Sequence, residues 1–404
     1  MKYVVIIADG MADYKVAELG NKTPMEAADK PTVDFLSKDA IVGTVLNVPE
    51  GMVPESDTAN LAILSYDPKV YSKGRSPLEA VSMGLEMAPD DTAFRCNVVT
   101  VSEDEACYED HIMIDHSADE ISTDEAAELI HTIHRELGNE IRRFYPGVSY
   151  RHCLLWKDAP MAEFMRPHDI IGKRIGDYLP KGPQAEIFIE LMKKSYNILK
   201  DHPVNLKRKA EGKNPANTIW LWSPGKKPAL PSFNEKWGLR GAVISAVDLI
   251  KGIGICAGMR SIDVEGATGN IHTNFKGKAE AAIKALKDGF DFVFVHVEAP
   301  DECGHRAEIE NKVLSIEKID HDIVKPVYEY LKSTGDDYKI MFLPDHPTPL
   351  CLRTHTSDPV PFLIYSGKKS YSGVSCFTEA TAAEKNFYIP HGYTLLDLMI
   401  KDKQ

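Results

Sequence analysis

The sequence predicts an α/β protein in which a parallel or mostly parallel sheet, with helices on both faces, is interrupted by an inserted α+β domain. Three observations support this prediction. Four continuously apolar, β-branched runs have the character of buried parallel strands. Helix-like segments separate these runs, and such alternation is typical of a sheet covered on both faces. The middle of the chain lacks this alternation and is flanked by proline-bearing loops.

The four predicted strands are KYVVIIADG from Lys2, GAVISAV (241–247), FDFVFVHV (290–297) and YKIMFLP (338–344). The segment KGKAEAAIKALKDG (276–289) reads as a helix because its alanines and Leu286 share one face and Gly289 ends it. The segment 313–335 also has apolar residues at helical spacing, and Pro326 is expected to kink it.

The middle region has a mixed pattern. Its predicted strands are 92–102, 149–156 and 217–223, and its predicted helices are 123–138 and 184–200. Ser122 followed by Glu125 is the sequence pattern of a capping box at the start of the first helix. We therefore expect an α+β domain at 89–232, inserted into a core formed by 1–88 and 233–404.

Composition excludes some classes of function. The 404 residues include 47 basic and 60 acidic side chains, a net charge of −13, which disfavours nucleic acid or an anionic membrane as a partner. The seven cysteines form no CxxC pair, so neither a disulfide framework nor a zinc ribbon is expected. The apolar start ends at Asp9, too early for a signal peptide or membrane span. We expect a soluble protein of the reducing cytoplasm, and the oligomeric state stays open.

Aspartates and histidines follow the predicted strands, where open α/β sheets bind their ligands. They are Asp9, Asp301 with His305, Asp345 with His346, and His355 nine residues further on. One strand-end aspartate is more often a cap or turn residue, but the set together indicates metal binding. Carboxylates and imidazoles without a thiolate cluster suit Mn²⁺ or Zn²⁺, and there are enough for two ions.

Ser56 stands between Glu55 and Asp57, before the helix-like run ANLAIL. One interpretation is an N-cap that satisfies backbone N–H groups. The other is a nucleophile. Two metal ions about 4 Å apart can clamp a phosphoryl group and lower the pKa of a bound hydroxyl. At the head of a helix, whose dipole favours an anionic oxygen, Ser56 then becomes a candidate for phosphoserine formation.

These motifs resemble the alkaline phosphatase superfamily and, within it, the archaeal-type cofactor-independent (2,3-bisphosphoglycerate-independent) phosphoglycerate mutases. The resemblance covers essentially the whole chain. The matching motifs are ADG (8–10), SDTANLAILSYDP (56–68), GRSPLEA (74–80), AFRCN (93–97), HDIIGK (168–173), PDECGH (300–305), PDHPTP (344–349) and THTSDPVPF (354–362).

The resemblance implies two divalent metal sites and no organic cofactor, with Mn²⁺ as the first choice and Zn²⁺ as the alternative. One site comprises Asp301, His305 and His355, and the other comprises Asp9, Ser56, Asp345 and His346. The implied fold is an alkaline-phosphatase-like core with an inserted lid. The implied reaction transfers phosphate from 3-phosphoglycerate to the serine and then to the 2-hydroxyl of glycerate, while the lid excludes water.

One segment departs from the family pattern. Family members commonly carry arginines in a segment resembling DRRAGRI, where this chain has IDHSADEI (114–121). The remaining cations are Arg75, Arg95, Lys173, Lys251 and Arg260, of which Arg95 and Lys251 are the predicted substrate ligands. His168 and Asp169 are predicted to join them or to cap the turn before Gly172. A homoserine kinase-like phosphotransferase, a metal-dependent phosphohydrolase and a metal-stabilised binding protein stay open as alternatives.

Overall fold

The structure, a computed structural model, describes residues 1–401 of the 404. The chain divides into two compact units. Unit 1 comprises Met1–Ser72 and the chain from Ala229 onward, and unit 2 comprises Lys73–Pro228. The expected boundary after residue 88 falls inside unit 2, because helix Ser76–Ser82 packs on the strands of that unit.

The described residues form these strands in chain order: β1 Lys2–Ala8, β2 Ile41–Val45, β3 Asp91–Val101, β4 Met113–Asp115, β5 Arg142–Tyr145, β6 Arg151–Lys157, β7 Thr218–Lys226, β8 Gly241–Ile244, β9 Arg260–Ile262, β10 Phe292–Val297, β11 Tyr338–Leu343, β12 Val360–Ser366 and β13 Tyr388–Ile389.

The α-helices are α1 Pro24–Ala27, α2 Pro31–Lys38, α3 Ser56–Ile63, α4 Pro68–Tyr71, α5 Ser76–Ser82, α6 Thr123–Leu137, α7 Ala185–Leu199, α8 Pro203–Ala210, α9 Phe233–Trp237, α10 Asp248–Cys256, α11 Phe275–Lys287, α12 Ala299–Arg306, α13 Ile309–Ile319, α14 Lys325–Thr334, α15 Glu379–Glu384 and α16 Leu395–Ile400.

Unit 1 contains a mixed sheet in the order β13-β2-β12-β11-β1-β10-β8-β9. The four predicted strands are its centre, β11-β1-β10-β8, and all pair in parallel. Among the described strands of this sheet, only β12 runs antiparallel to both of its neighbours. The prediction of a mostly parallel sheet is confirmed.

Burial on both faces explains why these strands are continuously apolar. Val4 and Ile6 of β1 pack in one core cluster with Phe275 and Ala282 of α11, while Val5 on the opposite face is equally buried. A polar side chain in such a strand would be buried among apolar residues without a hydrogen-bond partner, which costs free energy, so apolar residues are favoured at these positions.

The long helix after β10 adapts to its proline in a specific way. A π-helical turn, Asp320–Val324, joins α13 to α14, and Pro326 lies in the first turn of α14. Because Pro326 has no backbone N–H, the chain changes its hydrogen-bonding pattern just before it. Gly335, with a φ of 72°, ends α14 in the left-handed region.

Unit 2 contains an antiparallel sheet in which β3 pairs with β4, β6 and β7, and β6 pairs with β5. Helices α6 and α7 pack on it around a core that includes Phe94, Phe188 and Trp220. The predicted α+β character is therefore present. Among residues 1–401, none of the helices has both the length and the apolar character needed to cross a bilayer.

Candidate metal centre

The candidate ligands lie together because parallel neighbours end at the same edge of a sheet. Ala8 of β1 pairs with Val297 of β10, and Ile7 pairs with Leu343 of β11. Asp9 follows β1 directly, α12 begins just after β10, and Asp345 follows the end of β11. All seven predicted metal ligands belong to unit 1.

Asp301, His305 and His355 form the first set. Asp301 and His305 are four residues apart on α12, and His305 Nε2 lies 3.2 Å from Asp301 Oδ2. His355 Nε2 lies 3.3 Å from Asp301 Oδ1 and 2.9 Å from His305 Nε2. The three side chains converge, as the helical spacing predicts.

Backbone carbonyls fix the tautomers of these two histidines. His305 Nδ1 donates to the carbonyl of Arg353 at 3.0 Å, and His355 Nδ1 donates to that of Pro54 at 2.7 Å. A carbonyl can only accept, so in the neutral form of each ring Nδ1 carries the proton and Nε2 is the atom available to a metal ion. Both Nε2 atoms lie beside the Asp301 carboxylate, an arrangement that metal-ligating histidines adopt.

Asp9, Ser56, Asp345 and His346 form the second set. His346 Nε2 lies 3.6 Å from Asp9 Oδ1, 3.5 Å from Asp345 Oδ2 and 3.2 Å from Ser56 Oγ. The His346 and His355 rings stack with centroids 3.9 Å apart, so the two sets adjoin. The structure therefore brings together every predicted metal ligand.

Metal ions fit this donor set on two further observations. Asp9 Oδ1 is buried and has no hydrogen-bond partner, and burial together with the Asp345 and Asp301 carboxylates raises the pKa of Asp9 well above its usual value. The hydrogen bond with Asp301 raises the pKa of His305 to about 9. A divalent cation would offset both the orphaned oxygen and the crowded negative charge.

Sequence reasoning missed several residues at this centre. Glu298 lies with Asp9 and Asp301 in a third group whose ligand atoms are within 4.8 Å of one another. Asn60 Nδ2 donates to Asp345 Oδ2 and to the carbonyl of Ser56, both at 2.8 Å. Glu298 directly follows a predicted strand, so its position could have identified it as a candidate metal ligand. Asn60 lies in a run whose pattern indicates only a helix, so nothing in the sequence identified it as a residue of the site.

Local geometry decides against one of the two interpretations of Ser56. Glu55, in extended conformation, is the N-cap of α3, so Ser56 is its first helical residue and the N-cap interpretation of Ser56 is wrong. Cys303 is buried beside the candidate ligands on α12, and burial raises the pKa of its thiol to about 12.

The predicted substrate ligands are distributed over both units. Arg95 of β3 in unit 2 donates through Nε to Glu79 at 2.8 Å, makes a second bond to it, and lies over the Trp222 ring at 4.7 Å. His168 contacts Trp222 and His116, with centroids 5.6 and 6.0 Å away. The structure groups Arg95 with His168, and it adds Trp222 and His116, which sequence reasoning missed.

The other two predicted substrate ligands have different surroundings. Asp169 lies 3.7 Å from His168 Nε2, and its carbonyl accepts from Lys173 Nζ at 3.0 Å, so it remains beside the Arg95 group. Lys251 lies on α10 in unit 1, where its ammonium donates to Asp263 at 2.7 Å.

The fold and the site together define a class of protein: a mostly parallel α/β sheet with an inserted α+β unit, and with carboxylates, imidazoles and a helix-initial serine at the carboxyl ends of the sheet strands. Comparisons with known proteins narrow this class. The model of the 2,3-bisphosphoglycerate-independent phosphoglycerate mutase family matches residues 37–205. A protein with that name from Methanosarcina barkeri is 48% identical over 407 aligned residues, covering 100% of both chains.

Other relatives agree. A probable phosphoglycerate mutase of this type from Geobacter sulfurreducens is 47% identical, over 99% of this chain and 100% of the relative. A solved cofactor-independent phosphoglycerate mutase from Thermoplasma acidophilum has a TM-score of 0.67 and 29% identity, over 98% of each chain. A Pyrococcus horikoshii protein has a TM-score of 0.82 and 30% identity, over 99% of this chain and 96% of the other. The chain belongs to the 2,3-bisphosphoglycerate-independent phosphoglycerate mutase family.

Proposed function

We propose that this protein interconverts 3-phosphoglycerate and 2-phosphoglycerate through a phosphoserine at Ser56. Family membership over the full chain supports the substrate. The observation that supports the intermediate is the position of Ser56 Oγ, 3.2 Å from His346 Nε2 at the start of α3 and beside the carboxylate and imidazole donors.

The chemistry requires a balanced exchange of bonds. A bond forms between Ser56 Oγ and phosphorus while the bond between phosphorus and the 3-oxygen of the substrate breaks. The serine loses its proton and the 3-oxygen gains one. The 2-hydroxyl of glycerate then attacks phosphorus and loses its proton, while the bond between phosphorus and Ser56 Oγ breaks and the serine regains a proton. The N-terminal end of α3 favours the anionic oxygens that pass through this position.

The proposed ligand sets are Asp301 with His305 and His355, and Asp9 with Ser56, Asp345 and His346. Bound ions would lower the pKa of the serine hydroxyl and neutralise phosphoryl charge. Mn²⁺ is the preferred ion and Zn²⁺ the alternative, since carboxylate and imidazole donors suit both. Because the phosphate comes from the substrate itself, no organic cofactor is needed.

We assign substrate binding to Arg95, His168 and Asp169 of unit 2 and to Lys251 of unit 1. Glu79 and the Trp222 ring hold the Arg95 guanidinium in one orientation, and its positive charge suits recognition of a carboxylate or phosphate. We assign unit 2 the role of a lid that keeps water from the phosphoserine. The free cysteines support a cytoplasmic location, because none of the seven forms a disulfide.

Phosphorus NMR of Mn²⁺-loaded protein with 3-phosphoglycerate tests the activity. The expected result is the appearance of 2-phosphoglycerate without an added bisphosphoglycerate, and loss of turnover on chelation. Inorganic phosphate as the sole product would favour the phosphohydrolase alternative. Phosphohomoserine formed in a parallel reaction that supplies homoserine and a phosphoryl donor, with no 2-phosphoglycerate from 3-phosphoglycerate, would favour the phosphotransferase alternative.

Rapid quench with phosphate-labelled substrate tests the intermediate. Label should appear on the peptide that contains Ser56 and disappear in Ser56→Ala. Ser65→Ala is the matched control, because Ser65 follows the same helix but bonds the carbonyl of Tyr393, away from the candidate ligands. Label that persists in Ser56→Ala would contradict the proposed nucleophile.

A further inference from the structure

A buried ion pair lies behind the candidate metal centre, and the roles proposed above do not use it. Lys312 of α13 and Asp13, in the loop after β1, have side chains that are 0% and 1% exposed. Lys312 Nζ donates to Asp13 Oδ2 at 2.7 Å. Burying two charges is costly, and hydrophobic residues often stabilise a fold as well as such a pair does. The pair therefore calls for an explanation other than fold stability.

Both partners bind the segment that connects the candidate ligands His346 and His355. Lys312 Nζ donates to the carbonyl of Thr348 at 2.8 Å. The Asp13 carboxylate accepts from the backbone N–H of Leu350 at 3.2 and 3.1 Å. The ion pair thus holds residues 348–350 from two sides with bonds to the main chain.

Thr348, which the ion pair holds through its backbone, contacts two of the candidate ligands with its side chain. Its hydroxyl donates to Asp301 Oδ1 and lies 3.4 Å from His346 Nδ1. Glycines on two elements allow this close approach. A Cβ at Gly304 of α12 would lie 2.5 Å from the carbonyl oxygen of Thr348, and a Cβ at Gly10 would lie 2.5 Å from its Oγ1. Thr348 is therefore packed between α12 and the loop that follows Asp9.

We propose that Lys312 and Asp13 are positioning residues for the metal centre, which fix Thr348 and through it Asp301 and His346. The pair touches none of the proposed ligands directly. The inference rests on the proposed metal sites, and it predicts that loss of the pair weakens metal binding in a protein that stays folded. Groups that orient metal ligands typically change metal affinity by about 10- to 100-fold.

The test is Mn²⁺ binding by the full chain, measured by titration calorimetry and by electron paramagnetic resonance of the ion. Lys312→Met keeps the length of the side chain and removes its charge and its donors. Its affinity should fall by about 10- to 100-fold. Lys30→Met is the matched control. Lys30 is also buried and paired, with Asp34 at 2.9 Å, but neither it nor its partner bonds a candidate ligand or the 348–350 segment.

The double variant Asp13→Asn with Lys312→Met separates positioning from stability. It leaves no unpaired buried charge, so it should recover much of the stability lost by Lys312→Met alone and should fold even if that single variant does not. Its Mn²⁺ affinity should stay low, because the bond to the Thr348 carbonyl is still missing.

Two results would overturn the inference. One is a folded Lys312→Met or double variant with wild-type Mn²⁺ affinity. The other is an equal loss of affinity in Lys30→Met, which would indicate a general effect of stability. If the wild-type protein itself bound no Mn²⁺, the proposed metal sites would fail first and the inference with them, so the two failures are distinguishable.

Discussion

Ser56 is the residue whose substitution tests the mechanism most directly. Because Glu55 is the N-cap of α3, replacing Ser56 removes no capping bond and should change the free energy of unfolding by less than about 1 kcal/mol. Ser56→Ala should nevertheless lower mutase turnover by at least about a thousandfold, as removal of a covalent nucleophile does. Steady-state kinetics and thermal unfolding of the same preparations measure both quantities.

Ser56→Asp sharpens this comparison. Its carboxylate suits the first turn of a helix and could bind a metal ion beside His346, so a stable protein is expected. Turnover should be as low as in Ser56→Ala, because an aspartate cannot form the phosphoserine. Near-native turnover in a folded Ser56→Asp protein would contradict the role of Ser56 as nucleophile.

Glu379 predicts a pH dependence at the residue scale. Its carboxylate accepts from the N–H of Asp13 and the hydroxyl of Thr23, but burial raises its pKa to about 7 and Glu26 adds to the rise. A carboxyl whose pKa is raised by folding binds more protons in the folded state. Its contribution to stability is full below the unfolded pKa near 4.5 and is lost as the pH rises through about 7.

Glu379→Gln should therefore stabilise the metal-free protein at pH 8, and its advantage over the wild type should shrink toward pH 4.5. Thermal unfolding in chelator across this range is the measurement. Glu384→Gln, an exposed position at the end of the same helix α15, is the control and should show no such trend. A pH-independent difference for Glu379→Gln would contradict the prediction.

At the scale of elements, the strands that have a local sequence pattern were predicted, and the strands that form only through pairing with distant segments were missed. Strands β1, β8, β10 and β11 were predictable because burial on both faces requires continuous apolar runs. The strands that were missed are β2, β4, β5, β9, β12 and β13. β2 contains Gly43, β12 contains Pro361, and the other four have two to four residues each, so none has a clear strand pattern.

The same distinction applies to the site. The sequence predicts that Asp301 and His305 lie close together, because they are four residues apart on one helix. It also predicts that the strand-end aspartates lie close together, because parallel strands end at the same edge of a sheet. Asn60 and Thr348 could not be predicted as residues of the site. Asn60 contacts Asp345, which is 285 positions away in the chain, and Thr348 contacts Asp301, which is 47 positions away. No periodicity within one segment encodes such contacts.

The contact between α12 and the segment after β11 gives a prediction for a whole element. Alanine favours a helix over glycine by about 1 kcal/mol. At Gly304, however, a Cβ would lie 2.5 Å from the carbonyl oxygen of Thr348 and 2.8 Å from its Cγ2. The carbonyl group belongs to the backbone and cannot rotate away as a side chain can. The steric clash should therefore outweigh the higher helix propensity of alanine, and Gly304→Ala should lower the free energy of unfolding by about 1–3 kcal/mol.

The displaced α12 carries Asp301 and His305, so Gly304→Ala should also weaken Mn²⁺ binding. Urea unfolding and Mn²⁺ titration measure the two effects. Glu302→Ala, on the same helix and paired only locally with Arg306, should change neither by a comparable amount. A stabilised Gly304→Ala protein with unchanged Mn²⁺ affinity would show that α12 moves freely relative to Thr348.

At the scale of the whole molecule, the separate roles proposed for the two units can be tested: metal binding by unit 1, and substrate binding and exclusion of water by unit 2. All seven proposed metal ligands lie in unit 1, whose sheet and core are separate from those of unit 2. A net charge of −13 gives the chain no general attraction for an anionic substrate, so its binding must come from local cations and from the metal centre. Arg95 and His168, two of the proposed substrate ligands, belong to unit 2.

Excision of unit 2 separates these contributions. A chain in which a flexible glycine–serine linker joins Ser72 to Ala229 should keep Mn²⁺ binding and hydrolyse phosphate esters slowly, because the metal centre and Ser56 remain. It should lose mutase transfer, since water can then reach the phosphoserine and the substrate ligands of unit 2 are gone. Circular dichroism first establishes that the shortened protein is folded. Intact mutase activity would show that unit 2 has some role other than a lid, and loss of Mn²⁺ binding in a folded protein would show that unit 1 does not hold the complete metal centre.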